Sequence, residues 1–137
     1  MAEIETYEPA FTSSPGTNLA GIPASHLDLP GPSISYGLSY YVTCAKHVKE
    51  NYNASRIFII ASGSLSRSTD KLDLLLNALG KDKVVGIQKG MASHSLWSEI
   101  LDVTNKVRTQ RADCVVTLGA GSLTDAAKLV VFVRIHF

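Results

Sequence analysis

The sequence has little of several features that would place it in a specialised class. Its 13 basic and 12 acidic side chains give a formal net charge of +1, so it lacks the clustered basic face that nucleic-acid binding requires. No run approaches the ~20 apolar residues of a membrane-spanning helix, and the acidic segment Met1–Ala10 does not resemble a secretory signal. Two cysteines without a pairing pattern, Cys44 and Cys114, are expected to stay reduced. These absences predict a cytoplasmic, globular protein that binds neither nucleic acid nor membrane.

Proline is confined to one end of the chain. All five prolines lie between Pro9 and Pro32, in a stretch with no periodic apolar pattern. Because proline fixes φ and lacks an amide proton, this stretch predicts an irregular arm or tail. Its few apolar residues leave open an alternative in which it docks on the body or on a neighbouring subunit. We therefore divide the chain into an arm, residues 1–32, and a domain, residues 33–137.

The domain alternates between strand patterns and helix patterns. Short apolar runs predict strands at Ser33–Tyr36, Arg56–Ala61, Val84–Ile87 and Cys114–Leu118. Apolar residues at helical spacing predict helices around residues 38–45 (Leu38, Tyr41, Val42, Ala45), 72–79, 96–107 and 123–130, with Gly80 ending the second. The run at Arg56–Ala61 is apolar enough for a strand buried on both faces. The alternation predicts an α/β fold, in which helices flank a parallel sheet.

The most distinctive segment follows the last predicted strand, where Gly119-Ala120-Gly121-Ser122 leads directly into a helix. Glycine lets a ligand approach the backbone, and the unpaired N–H groups of a first helical turn favour an anion. The spacing therefore favours a phosphate or pyrophosphate site, to which Ser122 adds a hydroxyl. A tight turn capped by Ser122 explains the same residues without a ligand. Spacing alone leaves both interpretations open.

The segment GAGSLTDAAK, from Gly119 to Lys128, resembles the GGGSxxDxAK motif of the iron-containing alcohol dehydrogenase family. The segment GMASHS, which begins at Gly90, is most similar to the maleylacetate reductase branch of that family. The resemblance covers about residues 33–131 and implies a Rossmann-like nucleotide-binding domain of an oxidoreductase that acts on an alcohol or carbonyl group. It implies that NADP or NAD binds with its pyrophosphate on this turn. The residues implied in cofactor binding are Gly119, Ala120, Gly121, Ser122, Asp125 and Lys128.

A second group of candidates, Ser62, Ser64 and Arg67, follows the strand that ends at Ala61. Ser62 stands where many NAD-dependent members of the family have an acidic residue. An acid there would accept a hydrogen bond from the ribose 2′-OH and repel a 2′-phosphate, so its absence favours NADP(H). Ser64, Ser66 or Arg67 would contact the ribose or that phosphate. The other interpretation is a polar loop that caps the next helix.

Candidates for catalysis are few. His94 lies in a predicted loop between a strand and a helix, where it would contact cofactor or substrate, or act as an acid or base near neutral pH. The alternative is an ordinary loop histidine near a helix start. The histidines of the chain have no metal-ligand spacing, so we expect no metal in it. Members of the family continue in a helical domain that supplies an aspartate and three histidines to a divalent metal, and this chain ends at Phe137 without one. We therefore expect it not to run the metal-dependent family reaction alone.

The last residues, VVFVRIHF, form an apolar tail. Such a surface packs back on the sheet, pairs with another copy or aggregates, and we expect a homo-oligomer through this tail and the N-terminal arm. Three hypotheses for function follow. The first is an oxidoreductase domain by descent. The second is a repurposed homo-oligomer that binds or converts a small molecule in a cavity between subunits, and the third is a non-catalytic interaction module.

Overall fold

The computed structural model describes residues 11–12, 33–91, 96–119 and 121–136, which include a parallel sheet with helices on both faces and a separate antiparallel pair of short strands. The strands are β1 (Phe11–Thr12), β2 (Ser33–Ile34), β3 (Ile57–Ala61), β4 (Val84–Lys89) and β5 (Cys114–Leu118). The helices are α1 (Tyr40–Glu50), α2 (Gly63–Ser68), α3 (Lys71–Leu79), α4 (Trp97–Thr109) and α5 (Gly121–His136). The predicted α/β fold with a Rossmann-like parallel sheet is confirmed.

The main sheet has three parallel strands in the order β4-β3-β5. All five residues of β3 are buried, as its apolar run predicted. The prediction of a strand over Ser33–Tyr36 in this sheet is wrong. Only Ser33–Ile34 is extended, and it pairs antiparallel with Phe11–Thr12, inside the predicted arm. A pairing partner this far away in sequence leaves no local signal in the amino-acid pattern.

Alternate residues of β3 face two separate cores. Ile57, Ile59 and Ala61 pack with buried residues of α1 and α3, whereas Phe58 and Ile60 pack with α4 and α5. A strand places successive side chains on opposite faces, so this single strand supports both helix layers. Each fully buried aliphatic side chain contributes roughly 1.5–3 kcal/mol through removal of apolar surface from water. The fold is therefore held together through β3.

Two details differ from the sequence predictions, and a third agrees with them. The predicted face of the first helix is right only in part. Tyr41 and Ala45 pack against the core, but Leu38 precedes α1 and Val42 is 57% exposed, whereas Val48 is buried. The prediction of a loop over residues 62–68 is wrong, since Gly63–Ser68 forms α2. The prediction that Gly80 ends a helix is confirmed by its φ of +95°.

The amino ends of β3 and β5 are tied together by one carboxylate. Asp113 accepts hydrogen bonds from the N–H and hydroxyl of Ser55, both at 3.1 Å, and from the N–H of Arg56 at 3.0 Å. The Arg56 guanidinium in turn donates to the carbonyl of Gln110 at 2.6 Å. A cation beside the last carbonyls of a helix complements its dipole, so this pair fixes the end of α4 against the sheet.

Candidate functional site

The segments that follow the three parallel strands meet at the carboxyl edge of the sheet. The N–H of Ser62, after β3, donates to the carbonyl of Leu118 at 2.8 Å. The N–H of Gly90, after β4, donates to the carbonyl of Ala61 at 2.7 Å. In parallel α/β sheets this edge is where ligands bind, at the point where the chain reverses its direction of winding. Both groups of sequence-predicted residues therefore lie at one edge.

Gly119 is required by the close approach of the two segments. Its φ is +153°, and a Cβ there would lie 3.0 Å from Cδ2 of Leu123 and 3.1 Å from Cβ of Ser62. Any larger residue would be strained in its backbone and crowded by its neighbours. The turn that the sequence predicts after β5 therefore runs directly against the segment that follows β3.

Gly121 is in the opposite situation, because no heavy atom lies within 4 Å of the position that its Cβ would take. It is the first residue of α5, and both Gly121 and Ser122 are exposed. Ser122 therefore lies inside the first turn of the helix and is not its N-cap residue, so the capping interpretation is wrong. The first turn of α5 has open space for a ligand and no acidic side chain that would repel an anion.

The hydroxyl groups after β3 form a local cluster around Ser62. The Oγ atoms of Ser62 and Ser64 lie 3.0 Å apart, and the Ser66 hydroxyl donates to the Ser62 carbonyl at 2.7 Å. Ser62 is the N-cap of α2, and its Oγ accepts from the N–H of Leu65 at 3.5 Å. The predicted cap is thus present on a helix that the sequence pattern did not reveal. The Ser64 side chain remains exposed at this edge.

Arg67 folds back over the start of α2. A Cβ on Gly63 would lie 2.8 Å from Nη1 of Arg67, so the guanidinium covers Gly63 at the carboxyl edge. Within the described parts of the chain, the ion pairs involve other residues, and no carboxylate lies within 4.0 Å of Arg67. This guanidinium is available to an anionic ligand. Gly63 also contacts Gly90, since a Cβ on Gly90 would be 3.5 Å from the Gly63 Cα.

Sequence analysis missed Gly63 and Gly90 as parts of the edge. Gly90 has a φ of +86°, and each of the two glycines stands within two residues of a strand end. A glycine directly after a predicted parallel strand is the signal that could have identified them.

Asp125 and Lys128, the remaining members of the motif, contact each other. The Lys128 Nζ lies 3.7 Å from Oδ1 of Asp125, and both side chains are about three-quarters exposed (73% and 75%). An exposed pair of this kind is worth about 0–1 kcal/mol. The structure thus places these two side chains on the outer surface of α5, apart from the Ser62 cluster.

Two sequence candidates, Ala120 and His94, lie outside the described residues, as does most of the predicted arm. Among the described residues, no group of three or more histidine, cysteine, aspartate or glutamate side chains is placed to hold a metal ion. No helix in the same residues is both long enough and apolar enough to cross a bilayer.

The two cysteines are half-buried thiols. Burial raises the pKa of Cys44, and burial, together with the charges of Asp113 and Cys44, raises the pKa of Cys114 to about 11. Because the thiolate is the reactive form, neither has the character of a nucleophile.

Comparison with known proteins agrees with this architecture. Residues 34–136 match the family model described as iron-containing alcohol dehydrogenase. Dehydrogenase FUM7 of Gibberella moniliformis is 45% identical over 98 residues, which are 72% of this chain and 23% of that protein. Dehydrogenase ALT3 of Alternaria alternata is 37% identical over 78 residues, which are 57% of this chain and 20% of that protein. The chain thus spans less than a quarter of the length of either relative.

A solved structure has the same fold. Maleylacetate reductase from Agrobacterium tumefaciens superposes with a TM-score of 0.60 at 23% sequence identity, over 69% of this chain and 26% of that one. Because the family model matches residues 34–136, which are most of the sequence, this chain belongs to the iron-containing alcohol dehydrogenase family.

Proposed function

We propose that this chain binds a nicotinamide dinucleotide, with a preference for NADP(H), between the Ser62–Ser68 and Gly119–Ser122 segments. It would serve as the nucleotide-binding part of an oxidoreductase that acts on an alcohol or carbonyl group. The observation that carries the proposal is the contact of Gly119 with Ser62 beside an open first turn of α5, in a chain of a dehydrogenase family.

The described residues fit the chemistry of such a cofactor. Gly121 and Ser122 are the first two residues of a 16-residue helix. Their N–H groups lie at the positive end of the helix dipole, which suits a pyrophosphate. The Ser62 and Ser64 hydroxyls suit a ribose. When bound, the nicotinamide would accept or donate a hydride. The residues of this chain would bind and orient the dinucleotide.

The preference for NADP(H) rests on charge. Ser62 leaves the end of β3 without the carboxylate that would repel a 2′-phosphate, and the nearby Arg67 has no carboxylate partner among the residues described. A guanidinium forms charge-assisted, bidentate hydrogen bonds with a phosphate. NADH, which has no 2′-phosphate, would gain nothing from this contact.

Calorimetric titration of three forms of the chain tests the preference. The wild type is expected to bind NADPH more tightly than NADH. Arg67→Ala should weaken NADPH binding about tenfold or more and leave NADH binding unchanged. Lys81 is an exposed lysine in the turn before β4, at the opposite edge of the sheet. The control Lys81→Ala removes one positive charge there and should change the affinity for neither NADPH nor NADH. Tighter binding of NADH by the wild type would refute the preference.

Gly121→Val tests the pyrophosphate site itself. A Cβ at this position meets no protein atom within 4 Å, so we expect the fold to persist while the valine occupies the space that a phosphate needs. We expect loss of NADPH binding with an unchanged thermal midpoint. Asn77→Val, at an exposed position of α3, controls for a valine on a helix surface. Normal NADPH binding by Gly121→Val would contradict the site, and loss of folding would show that Gly121 is structural.

A further inference from the structure

Lys89 is a cation at the same edge of the sheet as the proposed nucleotide site, and the glycine motif after β5 does not include it. It is the last residue of β4 and is exposed. In the parallel pairing of β3 with β4, it lies opposite Ala61, the last residue of β3. The hydroxyl cluster around Ser62 begins directly after Ala61. Lys89 therefore lies beside the segment that is proposed to hold the ribose.

The register places Lys89 on the side of the sheet that carries α2 and α3. Paired residues of adjacent strands point to the same face, and Ala61 packs in the core that α1 and α3 cover. Helix α2 contacts α3, and Arg67 belongs to α2. Lys89 and Arg67 are therefore on one side of the sheet, at its carboxyl edge.

A series of close contacts brings these two cations near each other. The N–H of Gly90, the residue after Lys89, donates to the carbonyl of Ala61 at 2.7 Å. A Cβ on Gly90 would lie 3.5 Å from the Gly63 Cα, and a Cβ on Gly63 would lie 2.8 Å from Nη1 of Arg67. Successive Cα atoms are about 3.8 Å apart, and a lysine carries its ammonium on a four-carbon stem. The Lys89 ammonium can therefore reach an anion that the Arg67 guanidinium binds.

The charge of Lys89 is not neutralised by a neighbouring carboxylate. In the described parts of the chain, the lysines that form ion pairs are Lys106 and Lys128, so no carboxylate there lies within 4.0 Å of Lys89. A phosphate monoester carries about two negative charges at neutral pH, and one guanidinium balances only one of them. A second free cation at this edge therefore matches the charge of a bound phosphate.

We propose that Lys89 is a second contact of the 2′-phosphate of NADP(H), opposite Arg67, and that it contributes to the preference over NADH. This inference rests on the proposed function. In this arrangement the phosphate lies over Gly63, and each cation donates a charge-assisted hydrogen bond to it. NADH has a neutral hydroxyl at the same position and gains nothing from the second charge. Lys89 is therefore a specificity-determining residue, and its ammonium takes no part in hydride transfer.

An exposed lysine on a strand has another common role. In the part of the chain that the structure describes, β4 pairs only with β3, and a charged residue on such an edge strand protects it from pairing with other chains. Loss of that protection would promote aggregation and would not change one nucleotide affinity relative to the other. Comparison of NADPH with NADH therefore separates the two roles of Lys89.

Calorimetric titration with both nucleotides tests the proposal. Lys89→Met removes the ammonium and keeps most of the stem. We expect this variant to bind NADPH about tenfold more weakly than the wild type and to bind NADH equally well, with an unchanged thermal midpoint. Lys89→Arg, which keeps the charge, should retain most of the affinity for NADPH. The control Lys83→Met removes an exposed charge just before the start of β4 and should change neither affinity.

Two further titrations locate the contact at the 2′-phosphate. Adenosine 2′,5′-bisphosphate carries this phosphate without the nicotinamide, and Lys89→Met should weaken its binding by the same factor of about ten. The double variant Lys89→Met with Arg67→Ala lacks both cations. We expect it to bind NADPH no more tightly than NADH.

An unchanged NADPH affinity in Lys89→Met, an equal loss of affinity for NADPH and NADH, or the same loss in Lys83→Met would overturn the proposal. If the wild type binds NADPH tightly and Arg67→Ala weakens that binding, the proposed function stands while the role of Lys89 fails. A folded wild type that binds neither nucleotide would overturn the proposed function and this inference together.

Discussion

Gly119 and Ser62 contact each other across the carboxyl edge of the sheet, where a Cβ on Gly119 would lie 3.1 Å from the Ser62 Cβ. The N–H of Ser62 also donates to the carbonyl of Leu118, the residue before Gly119. The two segments that the sequence singles out for cofactor binding are therefore one structural unit. A change in either segment should affect the other.

Gly119→Ala should destabilise the fold, and Gly121→Ala should not. At position 119 an alanine would adopt a φ of +153° and crowd Leu123 and Ser62, which we expect to cost about 1–3 kcal/mol. At position 121 the added methyl meets no protein atom. Urea unfolding of both variants measures the difference. Equal stabilities would show that the approach of Gly119 to Ser62 imposes no constraint.

Gly86→Ala should destabilise the sheet through one aromatic ring. A Cβ on Gly86 would lie 2.6 Å and 2.7 Å from Cε2 and Cδ2 of Phe58, which is 2% exposed and cannot move aside. Overpacking of this kind costs about 1–3 kcal/mol. In the double variant Gly86→Ala with Phe58→Leu, the loss in free energy of unfolding should be smaller than the sum of the losses in the two single variants. Strict additivity would refute the steric explanation.

Asp113→Asn should lower the free energy of unfolding at neutral pH. The variant should also lose less of that free energy than the wild type when the pH is lowered. Partial burial tends to raise the pKa of the Asp113 carboxyl, but hydrogen bonds from Arg56 and Ser55 outweigh it and hold the pKa below its usual value. A carboxylate with a lowered folded-state pKa stabilises the fold above the unfolded pKa of about 3.9 and loses that effect as the pH falls through the folded value.

We therefore expect wild type and Asp113→Asn to differ by about 1 kcal/mol or less at neutral pH, since the carboxylate is exposed and screened. The difference should begin to shrink as the pH falls below about 4 and should disappear below the folded-state pKa of Asp113. Asp82→Asn, an exposed acid in the turn before β4, serves as the control. Urea unfolding across the pH range measures both differences. A constant difference at every pH would contradict the role of the Asp113 charge.

The two cysteines should react slowly with iodoacetamide in the folded chain. Burial raises the pKa of both thiols, that of Cys114 to about 11, so little thiolate exists at neutral pH. Mass spectrometry of samples labelled with and without urea gives the two rates. Rapid labelling of either cysteine without urea would show that its thiol is more acidic or more accessible than the structure indicates.

The core of the fold was predictable because its signals are local. The apolar runs at β3 and β5 and the helical spacing of Leu72, Leu75 and Leu79 identify their elements, since burial of one face requires these patterns. Helix α2 was not predictable, because GSLSRS has no apolar period. It depends on a cap at Ser62 and on packing beside α3. The pairing of Phe11–Thr12 with Ser33–Ile34 likewise depends on contacts between distant parts of the chain.

The candidate site was predicted in outline. The glycine turn after β5 could be identified from its residues, because a strand followed by glycines and a helix is a local pattern. The position of Arg67 over Gly63 could not be identified from the sequence, because it depends on the helical conformation of the segment between them. Sequence order also does not show that Gly90 lies beside Gly63. That contact follows from the order of the strands.

The most direct test of the account is a titration of the purified chain with NADPH and NADH, followed by the fluorescence of Trp97 or by heat. We expect saturable binding at micromolar concentration, tighter for NADPH than for NADH. The absence of binding at millimolar concentration, by a chain that circular dichroism shows to be folded, would contradict it. In that case the Gly119–Ser122 turn would be a structural connection only, and a ligand would be sought at the interface between subunits.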